Sequence, residues 1–313
     1  SVFATAILPI VAVGGVGYLL GRVRDVDTDG LNTVIVYVLA PALVFHSLAT
    51  TTLAESTLAR ITVAILVFHV LAILIAEAAG RLFGASKSAL AALTLVIAFP
   101  NSGNYGVPVS TFAFGDTGRA TAVVYLSVQA VLIWTVGVYL ASRGSTDDRF
   151  EGVRRVFTVP LVYAVVAALA VRALGLVPPV DSTAMTTLKL VGDSAIPVML
   201  VLLGIQLART DVGSTLSAVA GAVGLKMFVA PAVAVGVAVA VGFSDPDIAR
   251  TFVLESAMPS AVTPVILVGE FADGEVAGVS VTEFVSTAVF ATTVVSVGTL
   301  TALIALLESG AIL

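Results

Sequence analysis

Two short stretches of this chain concentrate the residues able to do chemistry. One reads Pro100-Asn101-Ser102-Gly103-Asn104-Tyr105-Gly106-Val107-Pro108, the other Glu255-Ser256-Ala257-Met258-Pro259-Ser260-Ala261-Val262-Thr263-Pro264. A proline has no N–H for the carbonyl four residues back, so inside a helix these four prolines would free the carbonyls of Val96, Asn104, Glu255 and Ser260. Gly103 and Gly106 weaken the first stretch further. A half-helix that follows such a break offers unpaired N–H groups and the positive end of its dipole; the half before it offers carbonyl oxygens. Asn101, Ser102, Asn104, Tyr105, Ser260 and Thr263 add polar side chains at the same places. With Pro100 and Pro259 making the breaks, one site would receive an anionic group at the helix starts and a cation or proton near the carbonyls.

Glu255 is the first candidate for a coupling ion. It stands one turn before Pro259, where carboxylate and carbonyl oxygens suit Na⁺ or the carboxyl carries a proton; the plainer reading is a packing pair with a cation. Lys189 and Asp193, four residues apart, share a helix face and can pair, with a structural ion pair and a titrating transport role both open. Lys226 either attracts the anion or snorkels. His46 and His69 read as interior histidines rather than proton relays, and Glu283 and Gln129 are further candidates for a cation site without a motif behind them. Gly14-Gly15-Val16-Gly17 superficially matches a dinucleotide loop, but no strand precedes it, and close helix packing is the better reading.

The elements that position these residues must be membrane helices. The chain of 313 residues is 58% hydrophobic and 11% charged, against roughly 25% charged in soluble domains. Crossing a ~30 Å hydrocarbon layer takes about 20 apolar residues. Apolar stretches fall at about 2–21, 31–49, 60–80, 88–114, 119–141, 156–176, 184–208, 214–242, 248–271 and 277–307, which makes ten spans. Lipid cannot satisfy an open backbone, and the runs lack a period of two, so the expected class is an all-α integral membrane protein. The first span has no basic residue before it and no small-residue cleavage pattern after it, and reads as a retained helix rather than a signal peptide. A soluble enzyme is excluded. The absence of cysteine removes disulfides and thiolate metal sites, and a net charge of −5 argues against nucleic acid as a partner. Arginine outnumbers lysine twelve to three and the loops are rich in Asp, a mark of a salt-loving source.

Nine Lys and Arg residues lie in the odd connections (Arg22, Arg24, Arg81, Lys87, Arg143, Arg149, Arg154, Arg155, Arg209) and four in the even ones (Arg60, Arg119, Arg172, Arg250). By the positive-inside rule the odd connections are cytoplasmic and both termini extracellular, in the cell membrane. The halves echo each other: Pro9 matches Pro160, Pro41 matches Pro197, and Pro100 matches Pro259, at offsets of 151, 156 and 159. Five spans per copy forces the second copy to insert the other way up. The expected organisation is therefore a repeat over 1–142, a short cytoplasmic linker over 143–155, and an inverted repeat over 156–313, a plan found in secondary transporters.

At these residues the chain resembles the auxin efflux carrier family, within the group that shares the bile acid/sodium symporter fold. Pro100-Asn101-Ser102 to Gly106-Val107-Pro108 is similar to that family's fourth-helix motif, Pro41-Ala-Leu-Val-Phe45-His46-Ser47 to its second, and Ala222-Val-Gly-Leu-Lys226 and Met258-Pro259-Ser260 to Pro264 to its eighth and ninth. The resemblance implies a scaffold of spans 1, 2, 6 and 7, a mobile transport domain built on crossed broken helices, a homodimer, and small organic carboxylates as substrates, with Asn101, Pro100 and Pro259 next to the bound carboxylate. Two departures stand out. The long loop that plant exporters carry between spans 5 and 6 is missing, and Glu255 replaces their neutral amide, as in the sodium-coupled relatives.

The expected function is a secondary carrier of small organic anions, auxin-like or other carboxylates, working by an elevator or rocking motion, with no cofactor beyond a coupling Na⁺ or H⁺. The alternative is a sodium-coupled symporter of the bile acid type for larger anions. An intramembrane hydrolase lacks its motifs, and a channel would need polar residues along a whole helix face.

Overall fold

The computed structural model describes residues 8–144, 160–209, 216–272, 274–276 and 278–313. Arg149, Arg154 and Arg155, Asp147 and Asp148, most of the 143–155 linker, and the first residues expected of spans 1, 6 and 8 lie outside them. The described residues form eleven helices: α1 Leu8–Val23, α2 Thr28–Thr50, α3 Glu55–Leu82, α4 Lys87–Ala98, α5 Ser102–Ala141, α6 Pro160–Ala173, α7 Thr183–Arg209, α8 Leu216–Val241, α9 Pro246–Ser256, α10 Thr263–Phe271 and α11 Val281–Glu308. A two-residue hairpin, β1 Glu275–Val276 with β2 Val279–Ser280, leads into α11. Six helices, α2, α3, α5, α7, α8 and α11, are long and apolar enough to cross a membrane; α1, α4 and α6 are apolar but shorter. The protein is an all-α integral membrane protein.

Apolar runs 88–114 and 248–271, continuous in sequence, are each divided in two. The first is α4 followed by the start of α5; the second is α9 followed by α10. α5 continues to Ala141 through a sharp turn at Phe114 and Gly115, where Gly115 takes φ 58°, a left-handed value that glycine adopts without strain.

Only the first proline of each pair interrupts a helix. Pro108 and Pro264 were expected to free the carbonyls of Asn104 and Ser260, but Pro264 stands in the first turn of α10, where a missing N–H costs nothing. Pro108 follows a π-turn at Ser102–Gly106, in which Val107 N–H bonds the Ser102 carbonyl, five residues back. The same device recurs before Pro41 (Ile35–Leu39) and before Pro231 (Leu225–Val229). A wider turn with one extra residue makes room for the ring, so the helix bends past the proline instead of ending. The freed Glu255 carbonyl is likewise occupied, by the N–H of Met258 at 3.2 Å.

The helices divide by their packing into two groups. α1 lies along α7 at glycine contacts: a Cβ on Gly17 would overlap the Val201 backbone, and one on Gly204 the Gly14 carbonyl. Gly192 of α7 meets the Leu43 backbone of α2 in the same way. Arg172 at the end of α6 donates to the carbonyls of Thr51 (2.7 Å) and Leu53 (2.6 Å), which closes the end of α2. In the other group Phe252 of α9 packs edge-on against Phe68 of α3 and obliquely against Tyr125 of α5. Arg60 of α3 caps the Gly242 carbonyl at the end of α8, and Glu77 of α3 binds both Arg81 and Arg143.

Candidate functional site

The two interruptions meet. Phe99 to Asn101 and Pro259 to Ala261 run antiparallel as a single bridge between Pro100 and Ser260. Asn101 N–H donates to the Pro259 carbonyl at 2.7 Å, and Ala261 N–H to the Phe99 carbonyl at 2.9 Å. Each broken chain thus satisfies the other's backbone, as a buried interruption requires.

Asn101 spends its N–H on Pro259, which strands the Ile97 carbonyl that a continuing α4 would have bonded to it. Lys226 of α8, fully buried, donates its ammonium to that oxygen at 3.0 Å. Gln129 of α5 performs a similar service, its amide nitrogen donating to the Pro100 carbonyl at 2.8 Å. Ser260 N–H donates to the Thr292 hydroxyl of α11 at 3.2 Å. The Lys226 nitrogen therefore caps the negative end of α4, the end of a helix dipole that favours a basic group.

Glu255 occupies the complementary position. Its carboxylate is fully buried and lies flat against Gly106 in the first turns of α5, so close that a Cβ on Gly106 would overlap it. Oε1 accepts a hydrogen bond from Ser110 at 2.6 Å; Oε2 has no hydrogen-bond partner among the described residues. Next to it in sequence, Ser256 shares a hydrogen bond with the Tyr125 hydroxyl at 3.1 Å. The carboxylate thus sits at the positive end of α5, as the lysine sits at the negative end of α4.

A cavity of about 660 Å³ opens on the starts of α5 and α10. Pro100, Asn101, Ser102, Gly103 and Asn104 line it from one break, Ala261, Val262 and Thr263 from the other. Tyr37, Leu126, Ile133, Trp134, Leu161 and Met199 make its apolar wall. The Asn101 side-chain nitrogen and the Ser102 hydroxyl are buried and have no hydrogen-bond partner among the described residues. No Lys or Arg is among the described lining residues; the charge there is Asp29. A second cavity of about 260 Å³ lies between α7 and α10 and α11, and Asn101 borders it too.

The structure separates the other candidates from this space. Pro259 and Ser260 form the bridge and do not line the cavity. Tyr105 turns toward α11, where Ser296 donates to its hydroxyl at 3.4 Å. Lys189 and Asp193 pair at 2.5 Å on α7, away from the cavity, and Asp193 also binds Arg119 of α5 at 2.5 Å. His69 is buried, its Nδ1 2.8 Å from the Ile65 carbonyl, and His46 is half-buried. Sequence reasoning passed over Ser110 and Arg119, whose partners are 145 and 74 positions away, and Lys226 is buried against Ile97, so it does not snorkel and does not line the cavity. Among the described residues no three His, Asp or Glu cluster as a metal site.

Helices of membrane length, two mutually bonded interruptions and a cavity at their helix starts are thus combined in one membrane protein. Comparison with known proteins agrees. The family described as membrane transport protein matches residues 2–152 and 149–304, and the chain belongs to it, as a prokaryotic-type member of the auxin efflux carrier family. It is 27% identical to an "Uncharacterized transporter" of Methanothermobacter thermautotrophicus over 84% of this chain and 85% of that one. It is 25% identical to a "Putative malonate transporter" of Rhizobium meliloti over 98% of this chain and 96% of that one. Family membership and the relatives' names both support a transporter.

Proposed function

We propose that the protein is a secondary carrier of organic anions that bear one carboxylate on an apolar body. The observation that carries this is Asn101: its side-chain donor is buried without a partner among the described residues, and the residue lines a 660 Å³ cavity beside two helix starts. Unsatisfied donors at positive dipole ends suit a carboxylate, and a wall of Tyr37, Trp134, Leu126 and Met199 suits a hydrocarbon or ring. With Asp29 present and no lining lysine or arginine, a second carboxylate would go unpaired, which favours a monoanion over the dianion in the rhizobial relative's name.

In this reading the spans number ten, as two inverted repeats over 1–142 and 156–313: α4 with the start of α5 is the fourth, the rest of α5 the fifth, and α9 with α10 the ninth. α1, α2, α6 and α7 form the scaffold, and the remaining helices form a transport body that slides against it, as a homodimer in the cell membrane with both termini outside. The cavity reaches Thr28, Pro160 and Gln206, next to odd connections, so it faces the cytoplasm. Glu255 is the coupling group. Its packing against Gly106, and a single hydroxyl donor, suit a proton better than the several oxygen ligands a Na⁺ wants. The test is uptake by proteoliposomes of phenylacetate and of malonate, with pH and sodium gradients imposed separately. Phenylacetate uptake driven by the pH gradient is expected; uptake of malonate alone, or of neither, would refute the reading.

A further inference from the structure

We propose that Arg119 and Asp193 form a latch that holds shut the side of the carrier opposite the cavity and parts whenever the transport body moves. The inference rests on the division into scaffold and transport body given above.

Arg119 follows the Gly115 turn of α5, in the transport body, and Asp193 stands in α7, in the scaffold. Their side chains meet at 2.5 Å, with the arginine 16% and the aspartate 35% exposed. Asp193 precedes Gln206 by 13 positions on α7, about 20 Å of helix, and Gln206 lines the cavity near its cytoplasmic end. The pair therefore bridges the two bodies on the far side of the crossing from the cavity mouth. The ion pairs of Glu77 with Arg81 and Arg143, by contrast, stay within the transport body.

Asp193 is equipped to let go. Its second oxygen is held at 2.5 Å by Lys189 on its own helix, so the carboxylate keeps a partner when Arg119 departs. Breaking a half-buried pair is costly chiefly because it abandons a charge, and Lys189 removes that cost on the aspartate's side, leaving the arginine's side as what holds the latch closed. His46 of α2, half-buried, lies within electrostatic reach of all three groups.

The chain has no cysteine, so introduced thiols report without background. In the full-length protein in proteoliposomes carrying His46→Cys, a membrane-impermeant maleimide is applied to each face. Labelling from the face opposite the cavity should rise at least threefold on adding Arg119→Gln or Asp193→Asn, and should stay near the unsubstituted rate with Arg119→Lys. Equal labelling in all four proteins would overturn the latch. Separately, the Arg119→Cys/Asp193→Cys protein cross-linked by a short bis-methanethiosulfonate, which joins the thiols through two disulfides, should bind phenylacetate within twofold of the reduced protein and exchange it at least tenfold more slowly, with reductant restoring exchange. Undiminished exchange after complete cross-linking would equally overturn it. Failure of the unmodified carrier to move any carboxylate would count against the proposed function instead, and the labelling comparison would still decide the latch.

Discussion

Lys226 donates its ammonium to the Ile97 carbonyl at 3.0 Å, filling the place of a backbone N–H that Asn101 gives to Pro259 instead. A lysine more than a hundred residues away in sequence is thus part of how this helix ends. Removing it leaves a buried carbonyl unsatisfied, at about 1–3 kcal/mol, and truncation to alanine adds a cavity, at about 2–5 kcal/mol for a large side chain. Relief from desolvating the ammonium offsets part of this. Melting in detergent should therefore rank wild type above Lys226→Met above Lys226→Ala. An alanine variant as stable as wild type would contradict the role.

Gly106 and Gly103 occupy the same π-turn but face different neighbours. A Cβ at Gly106 would overlap the Glu255 carboxylate, whereas one at Gly103 meets only the end of Leu126, at 3.3 Å. Gly106→Ala should displace the carboxylate and lower proteoliposome uptake at least tenfold, while Gly103→Ala should keep uptake within about threefold of wild type. Equal losses in the two variants would show that helix flexibility, not Glu255, is what the glycines supply.

Glu255→Gln keeps the side chain's shape and its contact with Ser110 while removing the charge. Uptake of phenylacetate should lose its dependence on the pH gradient, and equilibrium binding should stay within about threefold. A pH profile identical to wild type would remove Glu255 from the coupling step and return it to packing.

Arg172 ties α6 to the end of α2 through the carbonyls of Thr51 and Leu53. Arg172→Ala should destabilise the protein by about 1–3 kcal/mol, seen as a lower melting temperature in detergent, with the KM for phenylacetate unchanged because no contact with the cavity is lost. A large change in KM with unchanged melting would reverse that assignment.

Much of this was legible in the sequence because the signals are local. Apolar runs define helices, and Pro100 and Pro259 stand where helix gives way to extended chain. Asn101, Ser102, Asn104 and Thr263 could be placed at the cavity from their distance to those prolines. Pro108 and Pro264 misled for a physical reason: a proline stops a helix from its interior and is harmless in its first turn or behind a π-turn, and the sequence does not mark where a turn begins. Tyr105 misled because polarity alone does not say which way a residue points, and it faces Ser296. The partnerships of Lys226 with Ile97, Glu255 with Gly106 and Ser110, and Arg119 with Asp193 were out of reach, since each joins helices far apart in the chain and nothing in either local pattern names the other.

The account depends most on Asn101 as the donor that receives the carboxylate, and binding measures this without any assumption about motion. Equilibrium binding of radiolabelled phenylacetate to the purified protein should weaken by roughly 12- to 150-fold in Asn101→Ala, the equivalent of about 1.5–3 kcal/mol for a buried hydrogen bond to a charged group. The melting temperature should stay near that of wild type, because the backbone N–H that bonds Pro259 is retained. Wild-type affinity in Asn101→Ala would contradict the claim that the paired interruptions form the anion site.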